Sequence, residues 1–291
     1  MFVRRNACTI RNRVRPSARH FYPLLLFVVP TLVMGYGVVL PRNGITGFNE
    51  ITMGFASALI GACFAYISGV RSVSRASAVT NSRQHRAWGR PGFIARQSAH
   101  PSGVLGWIVA HVMALETSAA NEVTIALAEL KESDQVLEVG CGHGRALTRI
   151  AGVLSTGRVI GIDPSQTMIR LAVRHNRKFI ARQKVQIDKG EAAALPYRDA
   201  TFDRVLTTHT VYFWPDLAAV LRELRRVLKP GGHLVIGFGD ADTMRGRFPA
   251  CVYILRSVDQ IQDALKDAGF ASVRIETRTT SHGKLNWAVA E

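Results

Sequence analysis

The chain has 291 residues, enough for one large domain or two small ones, and a formal net charge of +16. The charge is uneven. Residues 1–100 hold thirteen arginines, no lysine and one acid, Glu50, and so carry +12, whereas residues 101–291, with 24 basic and 20 acidic groups, have the balance of an ordinary soluble enzyme. The excess gives no ground for a nucleic-acid partner, because lysine-rich patches and basic stripes interleaved with aromatics are both missing. Cys8, Cys63, Cys141 and Cys251 stand far apart with no C-x-x-C pair and no histidine at zinc spacing, which reads as reduced thiols and no metal site.

Residues 1–20 form a basic tail with Arg4, Arg5, Arg11, Arg13, Arg15 and Arg19. Two uncharged runs of twenty residues follow, Phe21–Leu40 and Ile51–Val70, with the turn signal Pro41-Arg-Asn-Gly44 after the first. Twenty helical residues rising about 1.5 Å each span roughly 30 Å, the thickness of a bilayer's hydrocarbon core. Small residues recur at helical spacing in the second run (Gly54, Ala58, Ala62 and Gly61, Ala65, Gly69), which lets two helices approach closely in lipid. The expectation is a transmembrane helical hairpin over residues 21–70, with arginine-rich outer flanks that put both of its ends in the cytoplasm. A targeting segment and a misassigned start codon are the alternatives. A signal peptide usually has a shorter apolar core, and two long apolar runs fit a transit peptide poorly. Residues 71–102 hold Arg71, Arg75, Arg83, Arg86, Arg90 and Arg96 among Ser, Ala, Gly and Pro. They read as a basic linker drawn to anionic headgroups, or as a plain solvated tether.

From residue 103 to 291 strands alternate with helices. A helical pattern runs through Leu105, Ile108, Val109, Val112 and Met113 and resumes over Val123–Leu130. Val136, Leu137 and Val139 form an apolar strand, and residues 145–154 a helix. A strand (158–162), a helix from Ser165 as N-cap to Ala181, and a short strand (Val185–Ile187) follow. A strand ending near His209, a helix (Leu217–Leu228) and Lys229-Pro-Gly-Gly232 as a sharp turn come next. Strand His233–Phe238 is followed by Asp240–Arg256, read as part of a substrate lid. Ser257 then caps a helix to Ala268, which Gly269 stops, and Val273–Thr277 and Leu285–Val289 close the sheet as an antiparallel pair. The alternation predicts an α/β fold: a Rossmann-like, seven-stranded, mostly parallel sheet with helices on both faces.

The stretch Val136-Leu-Glu-Val-Gly-Cys-Gly-His-Gly-Arg-Ala-Leu147 organises this region. Glycines at 140, 142 and 144 let the backbone bend sharply and sit against a ligand with no Cβ in the way. The N-terminal N–H groups of the next helix then face a polar or anionic group. Asp163 ends the second strand 23 positions after Gly140, placed to accept from ribose hydroxyls. A dinucleotide fingerprint would need glycine at position 145, where Arg145 stands. The run is instead E-x-G-x-G-x-G, and Glu138 suits a cofactor with a cationic amino group better than a pyrophosphate.

This pattern resembles the class I S-adenosylmethionine (SAM) dependent methyltransferases, nearest to the branch with quinone- and sterol-modifying enzymes. The resemblance covers roughly residues 100–291. It rests on the glycine motif, on Asp163, on Gly190-Glu-Ala-Ala-Ala-Leu-Pro-Tyr197, on Ala200-Thr-Phe-Asp-Arg-Val205 and on the stretch Leu221–Val235. It implies that Glu138, Gly140, Gly142 and Gly144 contact the methionine part of SAM, with Cys141 filling the turn. Asp163 would bind the ribose, followed by Pro164 and Met168. Glu191 would accept from the adenine amino group, the N–H of Ala192 would reach a ring nitrogen, and Thr208 would complete the cofactor set.

Thr207-Thr-His-Thr-Val-Tyr-Phe-Trp-Pro215, after the fourth strand, is the expected wall between cofactor and acceptor. His209 is the candidate general base, its ordinary pKa near 6.5 suiting the task, or else a structural contact to the methionine moiety. Tyr212 and Trp214 are candidates for acceptor recognition, with packing as the other reading. Alignment alone can drive this reaction, so no base is required. The Asn/Asp-Pro-Pro-Tyr tetrapeptide of base-modifying amino-methyltransferases is absent after strand four, as is the paired-acid loop of protein arginine methyltransferases. The implied function is methyl transfer to a small acceptor, lipophilic if the quinone and sterol branch is the right one, by a domain anchored at the cytoplasmic face of a membrane. A SAM-binding module without turnover is the first alternative, and a nucleotide-cofactor reductase, disfavoured by Arg145, the second. Nothing in the sequence specifies the acceptor, the methylated atom or an oligomeric state.

Overall fold

The structure, a computed structural model, describes residues 92–280 and 283–291. The basic tail, the expected hairpin at 21–70 and most of the linker lie outside the described residues. Among the described residues no helix is long and apolar enough to cross a membrane.

Three helices come first: α1 (Gly92–Ala99), α2 (Gly103–Glu116) and α3 (Ser118–Leu127). The α1 helix falls inside the stretch read as linker, and its Ala95 is buried in the main core. The folded part therefore includes residues from Gly92, ahead of the expected start at 103. The α/β succession that follows is β1 (Gln135–Val139), α4 (Arg145–Val153), β2 (Arg158–Asp163), α5 (Gln166–Ala181), β3 (Val185–Lys189) and β4 (Phe202–Thr208). A 3₁₀ turn (Val211–Phe213), α6 (Leu217–Val227), β5 (Leu228–Gly239), α7 (Ala241–Met244), α8 (Val258–Asp267), β6 (Val273–Thr280) and β7 (Gly283–Ala290) complete it.

The seven strands form one sheet in the order β3-β2-β1-β4-β5-β7-β6. The first five run parallel, while β7 is antiparallel to both β5 and β6. Successive strand residues point to opposite faces, so a sheet buried on both sides needs apolar residues throughout. Val136, Val159 and Val235 pack on one face with Leu147 and Ile150 of α4, whereas Leu137, Ile160, Leu234 and Ile236 pack on the other with Leu221 and Leu224 of α6. Side-chain caps fix the helix starts. Ser165 accepts from the Met168 N–H, and Ser257 forms a reciprocal capping box with Gln260.

The Lys229–Gly232 turn is present, but inside a strand. Phe202 faces Leu228 and Arg204 faces His233, so these four residues loop out opposite Asp203, with Gly231 at φ +73°. Lys229 Nζ donates to both Asp203 oxygens at 2.8 Å, and the Gln135 N–H donates to one of them at 2.8 Å. Burial alone would raise the Asp203 pKa, but these donors together hold it below its ordinary value. Asp203 thus ties β1, β4 and β5 together.

Candidate functional site

The carboxyl ends of β1, β2 and β4 open onto a cavity of about 390 Å³, at the point where strand order reverses between β1 and β4. A shallower hollow of about 580 Å³ lies beside β3, at the outer edge of the sheet. There Asp188 is already bonded to Gln186 and Tyr197, and no glycine turn faces it.

The glycine turn is built from both sides. The N–H groups of Gly140 and Cys141 donate to Ile162 O at 2.8 and 3.1 Å, which fastens the turn to the end of β2. Gly140, Gly142 and Gly144 all have positive φ, at +72°, +53° and +76°, where side chains with a Cβ are strained. A Cβ on Gly142 would meet nothing within 4 Å, because that position faces the cavity, whereas one on Gly144 would stand 2.6 Å from Asn176 Nδ2. Asn176, fully buried on α5, donates to Gly144 O at 2.8 Å and accepts from Thr148 at 2.8 Å. No short motif announces Asn176, so sequence reasoning missed it.

Asp163 has more to do than expected. One of its carboxylate oxygens accepts from the Gly142 N–H at 2.9 Å and the other from the Ser165 N–H at 2.9 Å, so it clamps the turn to the start of α5. Burial raises its pKa, and these two N–H groups oppose the rise. A carboxylate has about four acceptor positions, so two remain for ligand hydroxyls. Glu138 is the anomaly of the site. It is 7% exposed, it lines the cavity, and its Oε2 has no hydrogen-bond partner. Burial first, then the like charge of Asp163, push its pKa up to about 8. On the turn itself, burial and then Arg145 lower the His143 pKa to about 4, so His143 is neutral near pH 7.

Of the expected cofactor residues, Glu138, Gly140, Cys141, Gly142, Asp163, Pro164, Met168, Glu191, Ala192 and Thr208 all line this one cavity. Gly144 does not; it closes the turn from behind against α5. The Thr208 hydroxyl is 2.9 Å from that of Thr124, which also accepts from Trp287 Nε1 at 3.0 Å, so a buried chain fixes the end of β4. His209 and Trp214 also line the cavity. Tyr212 does not: it is 3% exposed within the main core, and its oxygen accepts from the Gly239 N–H. The acceptor role expected of Tyr212 therefore gives way to packing, because the 3₁₀ turn points that side chain inward.

Two further parts of the wall escaped the sequence reading. Ser98, His100 and Pro101, from the stretch read as linker, and Ala110, Met113, Thr117 and Asn121 all line the cavity. Ser165 Oγ donates to Pro101 O at 2.8 Å and seats this N-terminal cap beside Asp163. Ala110, Met113 and Thr117 recur at helical spacing, a stripe that periodicity alone reads as core. Asp240–Arg256, expected to form a lid, contributes nothing to the cavity wall. It supports the wall from outside: Arg256 donates to Val211 O at 2.8 Å and Trp214 O at 2.7 Å, and Ile254 N–H donates to Tyr212 O at 2.9 Å.

Residues 137–236, the part that carries the glycine turn, Asp163 and the β4 end, match the family model described as a methyltransferase domain. A 27-O-demethylrifamycin SV methyltransferase of Amycolatopsis mediterranei is 31% identical over 151 residues, 48% of this chain and 55% of that protein. A demethylmenaquinone methyltransferase of Lactiplantibacillus plantarum is 37% identical over 113 residues, 38% of this chain and 48% of that protein. The chain thus spans about half the length of these curated relatives. Among solved structures, the phosphoethanolamine N-methyltransferase 2 of Haemonchus contortus, in complex with phosphomonomethylethanolamine and S-adenosylhomocysteine, shares the fold with a TM-score of 0.52. That likeness covers 60% of this chain and 52% of the other at 17% identity. The matched region lies on the strands that build the cavity, so this part of the chain is a methyltransferase domain of the class I S-adenosylmethionine-dependent kind.

Proposed function

We propose that this protein transfers a methyl group from SAM to a small, lipophilic acceptor at a membrane surface. The observation that carries the reading is Glu138, a buried carboxylate with an unpartnered oxygen in the wall of the cavity. Burying such a group without a partner costs free energy, which a cationic ligand group offsets. SAM brings that cation as its amino group, and its sulfonium supplies an electrophilic methyl. The residues present fit it. Glu138 would hold the ammonium, the bare Gly142 backbone would admit close approach, the remaining acceptor positions of Asp163 would take the ribose, and Glu191 with Ala192 would meet the adenine.

Ala110, Met113, Phe213, Trp214, Pro215 and Val220 line the same cavity. Such a wall excludes water and favours an apolar acceptor held in line with the methyl group. One relative is named for acting on demethylmenaquinone, which supports the same class of acceptor. The uncharged runs 21–40 and 51–70 and their arginine-rich flanks support anchorage with the domain on the cytoplasmic side.

The test is SAM titration by calorimetry on the full chain, followed by labelled-methyl transfer into a membrane lipid extract. Micromolar binding with label in the lipid fraction is expected. A folded protein that does not bind SAM overturns the reading, and binding without transfer to any fraction reduces it to a cofactor-sensing module. Retention of the full chain in membranes after alkaline washing, lost on deletion of residues 21–70, is expected for the anchor.

A further inference from the structure

Helix α5 turns Met168, Ile169, Ala172 and Asn176 into the protein. Its opposite face is cationic. Arg170, Arg174, Arg177 and Lys178 recur there at helical spacing, and all four are exposed. Six lysines and arginines, and no acid, stand between Asp163 and Asp188. Without those six, residues 101–291 would be net negative, at 18 basic against 20 acidic groups. Other helices balance their charge locally, as Arg226 does with Glu223 on α6 and Lys266 with Asp263 on α8. None of the four α5 cations forms an ion pair with a described residue. Like charges four positions apart, here Arg170 with Arg174 and Arg174 with Lys178, weaken a helix. Solubility alone would be served as well by mixed signs, so the arrangement points to an anionic partner.

Apolar side chains adjoin these cations. Of the four large ones exposed among the described residues, Val173 stands on α5 and Trp107 on α2, at 44% and 38% exposed. The Trp107 ring lies 4.2 Å from that of His111, and His111 Nδ1 is 2.8 Å from Trp107 O. Helix α2 packs beside α5, and both reach the cavity, through Ala110 and Met113 on α2 and Met168 on α5. His111 of α2 and His175 of α5 both act electrostatically on His143 in the cavity wall, so the two exposed faces meet beside it. The chain leading into α2 has the same sign: residues 51–115 contain no acid, and residues 71–100 contain six arginines.

We propose that the exposed face of α5, with Trp107 of α2 beside it, docks on a bilayer surface of anionic lipid headgroups. Arg170, Arg174, Arg177 and Lys178 meet the headgroup phosphates, while Trp107 and Val173 enter the interface, where an indole ring is favoured. This rests on the membrane-surface part of the proposed function and gives it a place on the domain. A lipophilic acceptor would then pass from the bilayer to a cavity that borders the docked face. A nucleic acid would attract the same cations, but its phosphate backbone gives Trp107 and Val173 nothing to bury against.

The test mixes the full chain with vesicles of phosphatidylcholine, with or without phosphatidylglycerol, whose acyl chains carry bromine close to the headgroup. None of the four tryptophans lies in residues 21–70, so the quenching lost in Trp107→Phe reports on Trp107 alone. Each lysine or arginine near an anionic surface raises partitioning roughly fivefold. Trp107 quenching is therefore expected in the anionic vesicles. It should fall at least about fivefold at high salt, and as far when Arg170→Glu, Arg174→Glu, Arg177→Glu and Lys178→Glu are combined. The salt series on the unaltered chain carries the test should that variant not fold. No Trp107 quenching in anionic vesicles, or equal quenching in phosphatidylcholine alone, overturns the proposal. RNA or DNA binding that the four changes abolish, without quenching in vesicles, assigns the face to nucleic acid and overturns it too. SAM titration and alkaline washing of the same samples keep the readings apart. SAM bound and the chain retained, without Trp107 quenching, sinks the docking surface and leaves the proposed function standing. Quenching without SAM binding does the reverse.

Discussion

The two walls of the cavity are made in different ways. On the cofactor side, strand, turn and acid lie within one βαβ unit: Glu138, the glycines and Asp163 span 26 positions, and the turn is fastened to β2 by the Gly140 and Cys141 N–H groups on Ile162 O and by the Gly142 N–H on the Asp163 carboxylate. On the acceptor side the wall is assembled from distant pieces. Helix α2, the residues after β4 and a buttress ending at Arg256 meet only in the folded state. The first wall is rigid and carries charge, and the second is apolar and carried by supports outside the cavity. Changes on one side should therefore alter cofactor affinity, and changes on the other should alter transfer alone.

The largest effect is expected from Gly144→Val. The positive φ costs about 1–3 kcal/mol for a β-branched residue, and the clash with Asn176 and Ala172 adds about 1–3 kcal/mol. Denaturant unfolding should show a loss of roughly 3–5 kcal/mol. Unchanged stability would break the claim that the turn is rigidly held.

Next comes Glu138→Gln, which should weaken SAM binding by about 2–3 kcal/mol, since a charge-assisted contact is lost. The same variant should stabilise the ligand-free protein at alkaline pH. The native pKa of Glu138, about 8, lies above its ordinary value of 4.5, so the folded state holds a proton that the unfolded state gives up. Stability from this group is fully present below pH 4.5 and is lost as pH rises to about 8. The expected gain for the variant at pH 8 is on the order of 3 kcal/mol, read from unfolding curves at several pH values.

Asp163→Ala should cost about 1–3 kcal/mol in SAM affinity. It should also lower stability, because the Gly142 and Ser165 N–H groups lose their acceptor. The smallest effect on the cofactor is expected from Arg256→Ala. Val211 O and Trp214 O lose a shared donor, so methyl transfer should fall about tenfold, near 1.4 kcal/mol, with SAM affinity unchanged. A parallel loss of SAM affinity would erase the distinction between the walls.

The same division explains what could be read from the chain. Glu138, Gly142 and Asp163 were legible because strand, turn and acid lie close in sequence and each residue type is demanded by local geometry. The seven strands were legible because apolar runs and turn residues alternate at regular intervals. The Lys229–Gly232 turn was legible as a turn but not as a bulge, because only pairing with β4 shows what lies opposite it. Tyr212 and Trp214 are near neighbours in an aromatic stretch and both enter the main core, and only the fold decides that Trp214 alone also reaches the cavity wall. Asn176, Arg256 and the α1–α2 cap act on residues tens of positions away, and no short-range pattern marks such partners.

The most direct test of the account is calorimetric titration of SAM into the full chain at pH 7 in buffers of different ionisation enthalpy. Glu138 is mainly protonated in the ligand-free state at that pH and must ionise to hold an ammonium group. Binding should therefore release close to one proton in the wild type and none in Glu138→Gln. Binding with the same proton count in both proteins would contradict the role of Glu138, and a folded protein that binds no SAM would contradict the methyltransferase reading itself.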